Sequence, residues 1–130
     1  MKTILSQERV VITGGGGFIG ANLIRQLLDW QSEIHLIWKK TTNPWRLLDI
    51  KDKIIFHIVD LQNKASLTAL MKKISPTAIF HLATHSAYRN QQDVKRMIDV
   101  SIQGTLNLLL ASKDIAYKIF VNTGSSSEYG

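Results

Sequence analysis

The chain has 130 residues, 45% of them hydrophobic, no cysteine and a formal net charge of +6. This length suits one domain over residues 1–130, and the missing cysteine excludes disulfides and thiolate metal sites, so we expect a cytoplasmic protein. No apolar run is long enough to cross a bilayer, and polar residues follow Met1 too early for a signal peptide. The basic residues are spread along the chain without interleaved aromatics, which favours solvated faces over a nucleic-acid surface.

Strand-like and helix-like segments alternate from end to end. We predict strands at residues 9–13, 33–38, 54–59, 78–82 and 118–122. We predict helices at residues 18–30, 64–74 and 92–112, with a short helical turn near 45–49. Strands separated by helices pair in parallel through right-handed crossovers. The sequence therefore predicts an α/β fold, a doubly wound parallel sheet of strand order 3-2-1-4-5, with a ligand crevice over the carboxyl ends of the first and fourth strands.

The most informative segment is VVITGGGGFIG at residues 10–20. An apolar, β-branched run leads into four consecutive glycines, and Phe18 and Ile19 then open a helical pattern. Residues without side chains let a pyrophosphate approach the backbone, and the first N–H groups of the helix then face it. We predict a dinucleotide site here; the alternative is a flexible glycine turn that binds nothing.

The glycines admit two registers of the dinucleotide fingerprint. The general pattern G-x-G-x-x-G begins at Gly15, whereas the variant T-G-x-x-G-x-x-G places its first glycine at Gly14. Both registers assign Gly17 to close phosphate approach and Gly20 to packing of the helix against the strand. No Lys-Ser/Thr pair follows the glycines, which argues against a mononucleotide P-loop.

The residues after the second strand bear on which cofactor is bound. A carboxylate usually stands there in NAD-binding domains and accepts hydrogen bonds from the ribose hydroxyls, but this strand runs into Trp38, Lys39 and Lys40 without an acid. Ammonium groups attract a 2′-phosphate, so Lys39 and Lys40 favour NADP over NAD, with Arg46 as a third candidate cation. The alternative is a basic surface loop in which Trp38 simply packs.

Asp60 and Leu61 follow the third strand directly. There the carboxylate of Asp60 is placed to accept from the amino group of an adenine. The alternative is that Asp60 caps the following helix or closes a turn, which aspartate commonly does.

Five motifs follow one another in a characteristic order: TGGGGFIG at 13–20, VDL at 59–61, HLA at 81–83, GTLNLL at 104–109 and SSSEYG at 125–130. In this combination the chain resembles the N-terminal, cofactor-binding part of the extended short-chain dehydrogenase/reductase family, the NAD(P)-dependent sugar epimerases and dehydratases. The resemblance implies a Rossmann fold, hydride transfer to and from a nicotinamide cofactor, and a nucleotide-sugar substrate. It places Asp60 and Leu61 at the adenine, and Leu82 and Ala83 beside the cofactor, with Ala83 along its phosphate–ribose side.

The resemblance also bears on catalysis. Ser125, four residues before Tyr129, stands where the family has its catalytic Ser/Thr; the alternative is a polar turn after the strand. The family's Tyr-x-x-x-Lys pair is absent, so we expect this chain to be incomplete relative to the family and to bind a cofactor without turning over a sugar. Ser101 replaces the family's usual Asn, and Glu128 stands one residue away from the dehydratase position, so we give it no role.

Three functions remain open at this stage. The first is the cofactor half of a nucleotide-sugar epimerase, dehydratase or reductase; the second is a catalytically inactive dinucleotide-binding module that acts as a redox sensor; a basic nucleic-acid-binding domain is a remote third. We expect homo-oligomers, because the fifth strand forms an open edge and the helix at 92–112 carries a broad apolar face through Val94, Ile98 and Ile102. We expect no metal, since His81 and His85 do not share a helix and no acid stands near them.

Overall fold

The computed structural model of the protein describes residues 2–85, 93–125 and 129. The strands of this part are β1 (Arg9–Thr13), β2 (Glu33–Trp38), β3 (Ile54–Ile58), β4 (Ala78–His81) and β5 (Ile119–Asn122). The α-helices are α1 (Lys2–Leu5), α2 (Phe18–Asp29), α3 (Lys64–Ile74), α4 (Val94–Met97) and α5 (Gly104–Ser112). Two 3₁₀ turns at Trp45–Leu47 and Lys51–Lys53 and a π-helical segment at Ile98–Gln103 complete the described elements.

The strands form one parallel sheet of order β3-β2-β1-β4-β5, which confirms the predicted topology. Thr13, the last residue of β1, pairs with Ile37 of β2 on one side and with His81 of β4 on the other. The carboxyl ends of these three strands are therefore level. The strand order reverses between β1 and β4, so a crevice opens at that point of the sheet edge.

The central strand β1 is buried on both faces, because its side chains alternate between two cores. Val10 and Ile12 belong to the core that includes Ala21, Ile24 and Leu27 of α2. Val11 belongs to the opposite core, which includes Leu67 and Met71 of α3 and Leu108 of α5. Helices thus cover both faces, and each fully buried aliphatic side chain contributes about 1.5–3 kcal/mol to folding.

The observed element bounds differ from the predicted ones by one residue at several ends. The strands β3 and β4 end at Ile58 and His81, one residue early. Val59 and Leu82 still donate backbone hydrogen bonds to Trp38 O (3.2 Å) and Thr13 O (3.1 Å), but the chain then turns towards the crevice. No element was predicted for the short helix α1.

The predicted helix at 92–112 is a helical run of three parts, α4, the π-helical segment and α5; Gln92 lies outside the described residues. The apolar face that the sequence pattern selects points outwards: Ile98 is 49%, Ile102 63% and Leu106 46% exposed. The inward face instead carries Leu108 and the polar Asn107, whose Nδ2 donates to Leu61 O at 2.9 Å. A hydrophobic pattern cannot reveal an inward face that includes an asparagine with a backbone partner.

Candidate cofactor-binding site

A cleft of about 350 Å³ opens at the carboxyl ends of the strands, a volume within the usual range of small-molecule sites. It runs from the glycine loop across the ends of β2 and β3 to the segment after β4. Most of the predicted cofactor residues line it together with residues that the sequence did not single out; the complete lining is 13–17, 37–39, 42, 59–62, 82–85, 96 and 100.

The glycine loop is held against the segment after β4. Gly14 has φ +72°, and a Cβ at this position would lie 2.5 Å from backbone atoms of Leu82 and Ala83. A Cβ on Gly20 would lie 2.6 Å from both Gly14 O and Gly15 Cα, so the start of α2 packs directly on the loop. The positive φ and the close approach at Gly14 favour the register in which Gly14 is the first glycine of the fingerprint.

The start of α2 faces the open side of the loop. Gly17 precedes Phe18 as the cap residue, and a Cβ added there would meet only Gly14 O, at 3.4 Å. Within the described residues no side chain caps this helix, and its first turn contains no acid. The first N–H groups of a helix lack intrahelical partners and carry the positive end of its dipole. These N–H groups, rather than the exposed side chains of Phe18 and Ile19, are suited to a pyrophosphate.

His81 connects the glycine loop to the helical run beside the cleft. Its Nδ1 lies 2.6 Å from Thr13 Oγ1, which also accepts from Ala83 N–H at 3.3 Å. Its Nε2 lies 2.8 Å from Thr105 Oγ1, and that hydroxyl donates its single proton to Ser101 O at 2.7 Å. Thr105 must therefore accept from an Nε2–H group. Burial lowers the pKa of His81, so the ring is neutral and Nδ1 accepts from Thr13.

Asp60 is the acidic residue of the cleft lining in the described part of the chain. Its Oδ1 accepts from Gln62 N–H at 3.0 Å, and its Oδ2 lies 3.3 Å from Lys39 Nζ. The Gln62 N–H bond lowers the pKa of Asp60 most, burial opposes this, and Lys39 and Arg96 lower it further, so the group is a carboxylate at neutral pH. Asp60 thus closes a turn and also faces the cleft. It does not cap α3, because Asn63 Oδ1 accepts from Ser66 N–H there at 3.1 Å.

A family model described as the NAD dependent epimerase/dehydratase family matches residues 10–130. The chain belongs to this family. The match confirms the family that the five sequence motifs indicate, and with it the Rossmann fold.

Curated members of the epimerase/dehydratase family match most of the chain. UDP-glucuronate 4-epimerase of Thermodesulfobacterium geofontis is 30% identical over 128 residues, which are 92% of this chain and 40% of that protein. The bifunctional UDP-glucose 4-epimerase and UDP-xylose 4-epimerase 3 of Arabidopsis thaliana is 25% identical over 95% of this chain and 38% of its own length. The chain therefore spans about two fifths of the length of these relatives.

A solved structure shows the same fold with a cofactor bound. The crystal structure of the Bordetella bronchiseptica enzyme WbmG in complex with NAD has a TM-score of 0.82 and 26% identity; the match covers 96% of this chain and 40% of that one. WbmG thus binds NAD on this architecture.

The three predicted cations lie at different distances from the cleft. Lys39 lines it, whereas Lys40 is exposed and is not part of the lining. The Arg46 guanidinium stacks on the Trp45 ring, 4.0 Å from its centroid, and Nη1 lies 3.4 Å from Gly16 O, so this residue stands beside the glycine loop.

Trp38 packs into the fold, as the alternative of a simple packing role predicts. The Trp38 side chain is buried and makes an edge-on contact with Phe56. A Cβ on Gly16 would lie 2.9 Å from the Trp38 ring, so this ring supports the glycine loop from below.

The candidate catalytic residue lies at the same end of the sheet. Ser125 follows β5 by three residues, and Thr123 N–H donates to His81 O at 3.2 Å, which places this segment next to the end of β4. Glu128 lies outside the described residues.

Several residues of the site were not identified from the sequence, among them Arg96, Val100 and Thr105. Arg96 and Val100 line the cleft from the helical run, and Thr105 receives the His81 hydrogen bond. Of these three, only Thr105 carried a signal, as part of the GTLNLL motif, whereas Arg96 resembled any lysine or arginine on a solvated helix.

His35 and His57 form hydrogen bonds within the sheet. His35 Nδ1 lies 2.9 Å from His57 Nε2, and His35 Nε2 lies 2.6 Å from Glu33 Oε1, so these two histidines pack within strands as predicted. Among the described residues no three His, Asp or Glu side chains are grouped so as to hold a metal ion. No helix in that part of the chain has the length and apolar character needed to cross a membrane.

Proposed function

We propose that the chain is the cofactor-binding part of a nucleotide-sugar epimerase, dehydratase or reductase. The observation that carries this proposal is the open start of α2 at Gly17, which presents unpaired N–H groups to a cleft of about 350 Å³. The relatives named for UDP-sugar epimerases and the NAD-bound WbmG support the same function. A bound nicotinamide cofactor supplies the hydride acceptor and donor of this chemistry.

The residues of this chain bind and orient the cofactor in the proposal. The N–H groups of the first turn of α2 bind the pyrophosphate, with Gly17 leaving room for it. Leu61 lines the cleft next to Asp60 at the adenine, and Leu82 and Ala83 line it beside the cofactor, with Ala83 along the phosphate–ribose side. Ser125 is proposed to hydrogen-bond the substrate oxygen whose proton moves as hydride departs, on the strength of its motif position and its place after β5.

We further propose that the cofactor is NADP rather than NAD. No acid stands at the end of β2, where a carboxylate would repel a 2′-phosphate, and Lys39 lines the cleft at that point. Arg46 stands beside Gly16, and exposed Lys40 follows Lys39 directly in the chain. A charge-assisted bond contributes about 1.5–3 kcal/mol when desolvated and less than about 1 kcal/mol when exposed.

Fluorescence titration with NADPH and NADH tests both proposals. The protein should bind NADPH more tightly than NADH, and Gly17→Val should weaken binding of both by at least about tenfold, because it adds a bulky side chain at a position that lines the cleft. The matched control is Gln26→Val, at an exposed position of the same helix, which should leave both affinities unchanged. Equal or tighter binding of NADH would overturn the NADP proposal, and unchanged binding by Gly17→Val would overturn the site.

We also propose that the protein self-associates. The outward apolar face of the helical run and the edge strand β5 support this, since such surfaces favour association. Sedimentation velocity at rising concentration should show dimers or larger species, and a monomer throughout would contradict the proposal.

A further inference from the structure

Lys39 and Asp60 join two strands at the adenosine end of the cleft. Lys39 follows β2 and Asp60 lies two residues past β3, and their side chains are 44% and 42% exposed. The distance between Lys39 Nζ and Asp60 Oδ2 is 3.3 Å, which is an ion pair without a short hydrogen bond. Half-exposed pairs of this kind contribute little and exchange partners easily.

The ion pair occupies the free side of the carboxylate. Asp60 Oδ1 accepts from Gln62 N–H, and Lys39 lies beside Oδ2, so a ligand donor that approaches Oδ2 shares this oxygen with the ammonium group. With the pyrophosphate at the start of α2, the adenosine half of a dinucleotide extends over β2 towards β3. An adenine amino group that reaches Asp60 therefore meets the Lys39 ammonium group first.

A 2′-phosphate changes this competition. A phosphate monoester carries about −1.5 to −2 charges at neutral pH and three strong acceptor oxygens, whereas Asp60 carries one charge. NADP can therefore draw Lys39 away from Asp60, while NAD offers only a neutral hydroxyl at the same place. Arg96 also lines the cleft, and its charge lowers the pKa of Asp60. This charge is present whether NADP or NAD is bound.

We propose that Lys39 is a switchable specificity residue, which competes with a ligand donor for Asp60 when paired with it and leaves Asp60 when the 2′-phosphate of NADP binds. The inference rests on the proposed function, since it requires a dinucleotide in this cleft. Asp60 then strengthens binding of NADP but contributes little to binding of NAD. Lys39 thus selects for NADP by attracting the 2′-phosphate and also by hindering NAD.

Removing the ammonium group should shift the two affinities in opposite directions. Lys39→Met keeps the length of the side chain without its charge. It should weaken NADPH binding by about tenfold and tighten NADH binding by about two- to fivefold. Asp60→Asn should weaken NADPH binding several-fold and leave NADH binding nearly unchanged. Lys51→Met, at an exposed position away from the cleft, is the matched control and should change neither affinity.

The outcomes separate this inference from the proposed function. If Lys39 merely holds Asp60 in place for the adenine, Lys39→Met weakens NADH binding too, and the inference is overturned while the dinucleotide site stands. Unchanged NADH binding by Lys39→Met also overturns it. If the unmodified protein binds neither cofactor, both proposals fail. Equal melting temperatures of the variants exclude a folding defect, which is not expected at half-exposed positions.

Discussion

The two ends of the sheet differ in how their polar groups are satisfied. At the amino-terminal end, the residues just before β1, β4 and β5 bind one another: Glu8 accepts from Thr77 Oγ1 at 2.6 Å and from Lys118 Nζ at 2.9 Å. At the carboxyl-terminal end, the first N–H groups of α2 and the half-exposed Lys39–Asp60 pair face a cleft. The difference indicates that one end holds the strands together and the other is shaped for a ligand.

The largest expected effect is the loss of stability when a side chain is added to the tight turn of the glycine loop. Gly14→Ala adds a methyl group at φ +72° and 2.5 Å from the backbone of Leu82 and Ala83. It should lower the free energy of unfolding by about 3 kcal/mol or more, because backbone strain and a clash with the main chain act together. Urea denaturation measures this loss.

Gly17→Ala provides the comparison within the same loop. Gly17 has an ordinary extended conformation and open space around it. The free energy of unfolding of Gly17→Ala should therefore differ from that of the unmodified protein by less than about 0.5 kcal/mol. Equal losses for both variants would mean that the loop is not held against the segment after β4 as described.

The second-largest expected effect is the pH dependence that His81, at the cleft end of the sheet, gives to the free energy of unfolding. Burial lowers the pKa of His81 below its usual 6.5, so the unfolded chain binds more protons than the folded one in mildly acidic solution. The stability from neutral His81 is complete above pH 6.5 and is lost as the pH falls below it. Urea denaturation between pH 8 and pH 5 should show this decline.

Variants of the histidines resolve the source of that decline. His57 also has a lowered pKa, through burial first and then His35 and Lys73, and contributes with the same sign. His57→Gln should therefore retain part of the pH dependence, and His81→Asn with His57→Gln should remove most of it. Loss of the whole pH dependence in His57→Gln alone would contradict the assignment of neutral, buried His81.

The smallest effect on stability is expected from Glu8, at the amino-terminal end of the sheet. The hydrogen bond from Thr77, followed by that from Lys118, lowers the pKa of Glu8, so its contribution is present above pH 4.5 and lost as the pH falls through the lowered value. Glu8→Gln should lower the melting temperature only slightly at pH 7 and should not affect NADPH binding. Asp52→Asn, an exposed acid in a 3₁₀ turn, is the control. Weaker NADPH binding by Glu8→Gln would show that the two ends are coupled.

The sheet order and the glycine loop were predictable because their causes are local in sequence. Alternating strands and helices restrict the chain to parallel pairing, and the spacing of Gly14, Gly17 and Gly20 requires only a strand before it and a helix after it. The one-residue errors at the strand ends arise where the chain turns into the cleft.

The contacts that shape the site were not predictable, because they join distant residues. Thr13 and His81 are 68 positions apart, and only the level ends of β1 and β4 bring them within 2.6 Å. Lys39 and Asp60 meet because two strands run parallel, and nothing in either segment indicates the other. The inward face of α5 was hidden by Asn107, a polar residue whose partner lies beyond β3.

A crystal structure of the protein with NADPH would show directly where the cofactor binds. The pyrophosphate should lie against the N–H groups of Phe18 and Ile19, with the backbone of Gly17 in contact and the adenosine directed over Lys39 towards Asp60. A cofactor bound elsewhere, or a pyrophosphate without contact to the start of α2, would contradict the proposed binding site.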